Sequence, residues 1–142
     1  MPESTPSAAP RRTSSGWGRV LVAVYAILAL SATGRSSVQL ATHADEALVP
    51  YLLSAFAALV YVAATLGLAR SGAAWRRVAW TAVCVELVGV IAVGTISVVH
   101  ADWFPDDTVW SVFGQGYGYL PLLLPFLGVA WLLRTRPRSH FP

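Results

Sequence analysis

The chain has no lysine, a single cysteine and only seven acidic residues, and each shortage removes a class of protein. Charged residues make up 12% of the 142, about half the share of a soluble domain, so a water-soluble globule is excluded. One cysteine, Cys84, rules out an intramolecular disulfide and any cysteine-based metal motif, and it reads as a small apolar packing residue. The sequence contains no G-x-S-x-G, no H-E-x-x-H and no Walker motif, and three scattered histidines do not make a metal site. Neither an enzyme nor a cofactor is expected. His43, His100 and the carboxylates near them read as solvated loops, with an external metal or proton site as the alternative. Absence of Lys beside abundant Ala, Arg, Gly and Val is the composition of a GC-rich genome and points to a high-GC bacterium.

What the chain has in quantity is apolar surface: 56% hydrophobic residues and a mean hydropathy of +0.58. The run from Arg76 to His100 reads as a membrane-spanning helix, since about twenty apolar residues at 1.5 Å each cross a ~30 Å hydrocarbon core. Arg76 and Arg77, with Trp75 and Trp80, mark one interface; His100, Asp102 and Trp103 mark the other. Within it lies one carboxylate, Glu86, ~12 Å in from Val78. Such a group needs a partner, a proton or a task. Glu86, Gly89, Val93, Ser97 and His100 recur at steps of three or four and share a face suited to a bundle interior.

Residues 1–18, rich in Pro, Ser, Thr and Ala, read as a disordered polar tail. The run from Val20 to Thr33 has the basic flank and small residues of a signal peptide, but continuation to Ala41 as a plausible helix favours an uncleaved anchor. In its outer half Ser31, Arg35, Gln39 and His43 form a polar stripe, drifting ~40° per step, if the helix continues; if it ends near Gly34 they form an external loop. Ala26, Ala29, Thr33 and Ser36 fall on a second face, and two such faces imply a helix buried around much of its circumference. A second span follows from Leu48 to Leu68, with Pro50 in its first turn and Ala63 and Gly67 at a packing spacing. Tyr25 and Tyr61 lie nearly level with Glu86, and Arg35 about 10 Å nearer the outside, so a tyrosine hydroxyl reaches Glu86 more easily than the guanidinium does.

Beyond His100, Pro105 and Asp106 look like a helix start, predicting a short interfacial helix over Asp107 to Phe113, with Trp103, Phe104 and Trp110 among the headgroups. Gly114, Gly116 and Gly118, then Pro121 and Pro125, form a hinge into the last apolar run. From Pro121 that run is only ~20 Å long, so the Gly/Tyr segment must enter the membrane or pack on the other helices. Gly116, Tyr117 and Gly118 match the core of a potassium filter, but Gly114 and Gln115 replace the preceding Thr and Val, and Tyr119 the following Asp. A packed hinge is the reading adopted, with Gly116→Ala and Gly118→Ala both expected to disturb it.

The W-F-P-D-D-T-V-W run and the G-Q-G-Y-G-Y-L-P-L-L-L-P-F-L-G that follows, together Trp103 to Gly128, resemble small four-span integral membrane proteins of actinobacteria with no assigned activity. That resemblance implies no catalytic residues. In size and span count the chain is also similar to the small multidrug-resistance transporters, whose essential Glu lies in the first helix and not, like Glu86, in the third.

These readings combine into an all-α membrane protein with four transmembrane helices, about 19–41, 48–68, 77–99 and 117–133, in a single domain 19–134 between tails 1–18 and 135–142. Nine of the ten arginines fall on one side and Asp45, Glu46, Asp102, Asp106 and Asp107 on the other, which places both termini in the cytoplasm of a bacterial inner membrane. The partners implied are the lipid bilayer and a second copy or another membrane protein; no nucleic acid is implied, because topology accounts for the basic charge. Function divides between a structural or interaction bundle with Glu86 as a polar clamp and a proton-coupled carrier with Glu86 as the titrating group beside Arg35, Ser31, Gln39, Tyr61 and Ser97. A reporter fused after Pro142 or inserted near Gly72 is expected on the cytoplasmic side, and one at Asp45 or Asp106 outside. An external C-terminus overturns the four-span arrangement.

Overall fold

A computed structural model describes residues 12–105 and 107–135, with side chains from Gly16 onward. The tails at 1–11 and 136–142, and Asp106, lie outside the described residues. Four helices follow one another: α1 (Arg12–His43), α2 (Leu48–Ala69), α3 (Ala73–Val99) and α4 (Leu120–Arg134). Among the described residues there is no strand. Helices α1, α2 and α3 are each long and apolar enough to cross a membrane. Fifteen residues give α4 only ~22 Å, and it qualifies only together with the preceding segment Ser111–Tyr117, from which it is bent by 96°.

The ends follow local chemistry. α1 already begins at Arg12, inside the stretch expected to be a polar tail, and runs through Gly34 without interruption. It closes at His43, where the Thr42 hydroxyl donates to the Val38 carbonyl (2.6 Å) and the Glu46 N–H to the His43 carbonyl (3.0 Å). Pro50 sits in the first turn of α2, where its missing N–H loses no helical bond. α2 and α3 form a tight hairpin through Arg70 to Gly72, and a Cβ on Gly67 would stand 2.6 Å from the Ala79 nitrogen, so these two backbones approach as closely as small residues permit.

Neighbouring helices pack in cyclic order, α1 on α2, α2 on α3, α3 on α4, with a lighter contact closing α4 to α1. α1 and α3 therefore face each other across the bundle diagonal. α1 meets this interior along one narrow stripe, Leu21, Tyr25, Leu28, Ala32 and Ser36, at steps of three or four. The expectation that α1 is buried around much of its circumference is corrected: outside this stripe and the adjoining Ala29 its described side chains are exposed or half-buried. Cys84 is likewise not a packing residue, because it points outward from α3.

Between α3 and α4 the chain is not the interfacial helix expected over Asp107 to Phe113. A single 3-10 turn covers Ala101–Trp103, and a second irregular one Ser111–Tyr117 contains Val112, Phe113 and Gly114 at φ of 50°, 60° and 85°. For a β-branched residue such as Val112 this backbone costs on the order of 1–3 kcal/mol, so the segment must be held from outside. The holding groups are hydroxyls on the long helices. Ser54 of α2 accepts the Val109 N–H (3.1 Å), and Ser97 of α3 accepts the Val112 N–H (2.7 Å) while donating to the Gly94 carbonyl (2.9 Å). Trp110, expected among headgroups, is instead 1% exposed inside the bundle, whereas Trp103 stays outside and stacks on His100 at 4.1 Å.

The hinge glycines are unequal. Gly114 has φ +85° and a Cβ there would lie 2.6 Å from the Pro121 ring; Gly118 has φ +64° with open space; Gly116 has neither constraint. Gly116, expected to be sensitive to a side chain, has open space and an ordinary backbone that accept one. Gly118→Ala is expected to lower stability by roughly 1–2 kcal/mol through the left-handed backbone, Gly114→Ala by more, and Gly116→Ala by close to nothing, measured by thermal unfolding in detergent. Equal losses at all three positions would contradict this account of the hinge.

Candidate functional site

Glu86 is 0% exposed and lies where all four helices and the connecting loop meet. From α1, the Tyr25 hydroxyl crosses the diagonal and donates to Glu86 Oε1 at 2.6 Å. From α2, Tyr61 places its ring 6.2 Å from that of Tyr25, centroid to centroid. The loop contributes Trp110, whose Nε1–H donates to the Tyr61 hydroxyl at 2.9 Å and whose indole meets the Tyr61 ring edge-on at 6.4 Å. α4 supplies the space: a Cβ on Gly128 would fall 3.1 Å from Val83 and 3.4 Å from the Tyr25 hydroxyl. Gly89, one turn beyond Glu86, leaves room for the Trp110 ring, which a Cβ would meet at 2.4 Å. Apolar helices, a carboxyl group and three aromatic rings with polar tips thus form one enclosed cluster.

Only one of the two carboxyl oxygens is bonded. Glu86 Oε2 is buried without a hydrogen-bond partner, and among the described residues Glu86 makes no ion pair. Burying a polar atom in this way costs on the order of 1–3 kcal/mol. The Tyr25 bond offsets part of that cost; interhelical hydrogen bonds within membrane bundles average ~0.6 kcal/mol and reach ~1.7. The cluster is thus a specific junction more than a source of large stability.

Of the residues singled out in the sequence, the structure gathers Glu86, Tyr25 and Tyr61. Ser97 lies on the same face of α3 but serves the loop. The polar stripe of α1 is not brought to Glu86. A step of six residues from Tyr25 to Ser31 turns the helix by roughly 240°, so Ser31 is exposed; Arg35 is half-buried and makes no ion pair among the described residues. Fourteen residues from Tyr25 return to within roughly 40° of the buried stripe, which is why Gln39 is partly enclosed, with Oε1 buried and unpartnered. His43 is exposed, 3.9 Å from Glu46 Oε2. No group of three or more His, Cys, Asp or Glu that would hold a metal occurs among the described residues.

Two participants escaped the sequence reading, Trp110 and Gly128. The signal for Trp110 was the pair Gly89 and Gly94 on the Glu86 side of α3, two sockets that take the Trp110 and Phe113 rings. For Gly128 the only sign was a glycine amid bulky apolar neighbours.

Replacing Tyr25 by Phe is expected to lower thermal stability by on the order of 1 kcal/mol in the wild-type chain, and by close to nothing in a Glu86→Met background where the acceptor is gone. Equal losses in both backgrounds would show that the Tyr25–Glu86 bond contributes nothing.

No protein-family model, curated protein or solved structure matches this chain.

Proposed function

We propose that this chain is a multi-pass protein of a bacterial inner membrane, with both termini in the cytoplasm, that acts as a structural or interaction component of a membrane assembly and not as an enzyme. Its group is that of the small four-span actinobacterial proteins to which the Trp103 to Gly128 stretch is similar. Partners of this reading are the bilayer and either a second copy or another integral membrane protein. Glu86 is its internal polar clamp, fixing how the four helices meet.

The observation that carries the reading is the closure of the Glu86 cluster. The side chain is fully enclosed, its bonded oxygen faces the Tyr25 hydroxyl, and among the described residues Glu86 lines neither the cavity at the arginine end, nor the groove between α2 and α3, nor the recess between α1 and α4. A carrier needs an aqueous route to its titrating group. Of the stripe that would line such a route, Ser31 is exposed, and Arg35 and Gln39 are half-buried ten and fourteen residues along α1 from the Tyr25 that meets Glu86. One feature favours the carrier as the second reading: Glu86 Oε2 has a lone pair directed at no donor.

The two readings part on one substitution. Glu86→Gln keeps size and the acceptor for Tyr25, so under the clamp it is expected to match wild type in thermal stability and in any growth or resistance phenotype, while Glu86→Ala loses on the order of 1 kcal/mol. Under the carrier, Gln is as damaging to the phenotype as Ala, because an amide releases no proton. A Gln variant that folds normally yet loses the phenotype overturns the clamp as a sufficient description.

A further inference from the structure

At the end of the bundle opposite Asp45, Glu46, Asp102 and Asp107, a cavity of about 550 Å³ opens between the α2–α3 hairpin and the C-terminus of α4. Three arginines line it, Arg70, Arg76 and Arg77, and among the described residues no carboxylate does. Their situations differ. Arg76 is committed to the protein: its guanidinium donates to the Leu132 carbonyl and, at 3.3 Å, to the Thr135 carbonyl, closing the last turn of α4. Arg70 lies over the Trp75 ring at 5.0 Å, which orients it without neutralising it. Arg77 is exposed and makes no ion pair among the described residues. Uncompensated positive charge thus collects around an open, partly polar recess.

Arg77 also ends a second recess. A groove of about 410 Å³ runs between α2 and α3, and its other lining residues, among them Phe56, Leu59, Ala63, Val78 and Val85, are almost all apolar. From Phe56 to Ala63 it follows the helix for ~10 Å. One residue therefore joins a cationic pocket to an outward-facing apolar channel, and the ligand that fits both at once is amphipathic, with an anionic head and a hydrocarbon tail.

We propose that this joint site binds an anionic glycerophospholipid. Arg70 and Arg77 face the phosphodiester, Arg76 adds its charge from a fixed position, Trp80 and Trp131 flank the head, and one acyl chain lies in the groove beside Ala63. Guanidinium forks suit phosphate oxygens, and basic recesses between helices at the arginine-rich side are where such headgroups collect. The site is independent of the Glu86 clamp.

The test uses the full chain purified in detergent, with phosphatidylglycerol, phosphatidylcholine and soluble glycerol phosphate as probes, binding being read by native mass spectrometry and thermal shift. Phosphatidylglycerol is expected to bind and stabilise, phosphatidylcholine to do so much less, and glycerol phosphate hardly at all. The double variant R70Q/R77Q, which leaves Arg76 in place, is expected to weaken phosphatidylglycerol by about thirtyfold. Ala63→Phe, which fills the groove but leaves the arginines, is expected to weaken it too. If the double variant is not recovered folded, Arg77→Gln alone, at an exposed position, carries the same comparison with about a fivefold loss. Equal binding of the two lipids, or no loss in the arginine variants, overturns the proposal; glycerol phosphate binding as tightly as the lipid shows a free-phosphate site and overturns it as a lipid site.

Discussion

A carboxyl group enclosed by apolar helices can be satisfied only from within the protein, and in this chain the donor comes from the helix diagonally opposite. Because Tyr25 and Glu86 stand on α1 and α3, which do not pack on each other directly, their 2.6 Å bond exists only when α2 and α4 hold the correct width on either side. The bond is modest in energy and demanding in geometry. Gly128 must leave the Tyr25 hydroxyl its path, and Tyr61 must be held level by Trp110. A displacement of any one helix therefore takes the donor away from a buried carboxyl oxygen.

The loop before α4 obeys the same rule in backbone form. Val112, Phe113 and Gly114 take left-handed conformations, and although Thr108 and Ser111 bond each other and Thr108 accepts the Trp110 N–H within the loop, the Val109 and Val112 N–H groups find their partners on the long helices. Ser54 and Ser97 are those partners, each a single hydroxyl at a position where an alkyl side chain would leave an amide stranded. Trp110 and Phe113, seated over Gly89 and Gly94, supply the apolar half of the attachment. Strain at Val112 and Phe113 is thus distributed over contacts to two helices.

Length and hydropathy made α1, α2 and α3 legible in the sequence, and Glu86 stood out as a carboxylate within an apolar run. Level counting along the helices also brought Tyr25 and Tyr61 beside it, because depth depends only on a constant rise. Rotation was less legible. Over the 32 residues of α1, a stripe with four-residue spacing drifts by ~40° per step, so Ser31 is exposed while Arg35 and Gln39, further along the same line, are half-buried. The loop was misread for a different reason: Pro105 and the acids after it resemble a helix start, and nothing local reveals that Ser54, 55 residues earlier, will take the Val109 N–H. Among the hinge glycines, identical residues at even spacing carry different duties, set by Pro121 and by φ angles that sequence alone does not display.

Arg76 closing the last turn of α4 bears on how such a chain is assembled. A fifteen-residue helix, at ~22 Å, falls short of the hydrocarbon thickness, and its terminal carbonyls carry the negative end of the helix dipole. Left alone, it has no stable depth. By meeting the Leu132 and Thr135 carbonyls, Arg76 gives that end a counter-charge delivered from α3, made some 55 residues earlier in synthesis. The final helix is in this sense a guest of the third, and the order of translation is also the order in which its receptor becomes available.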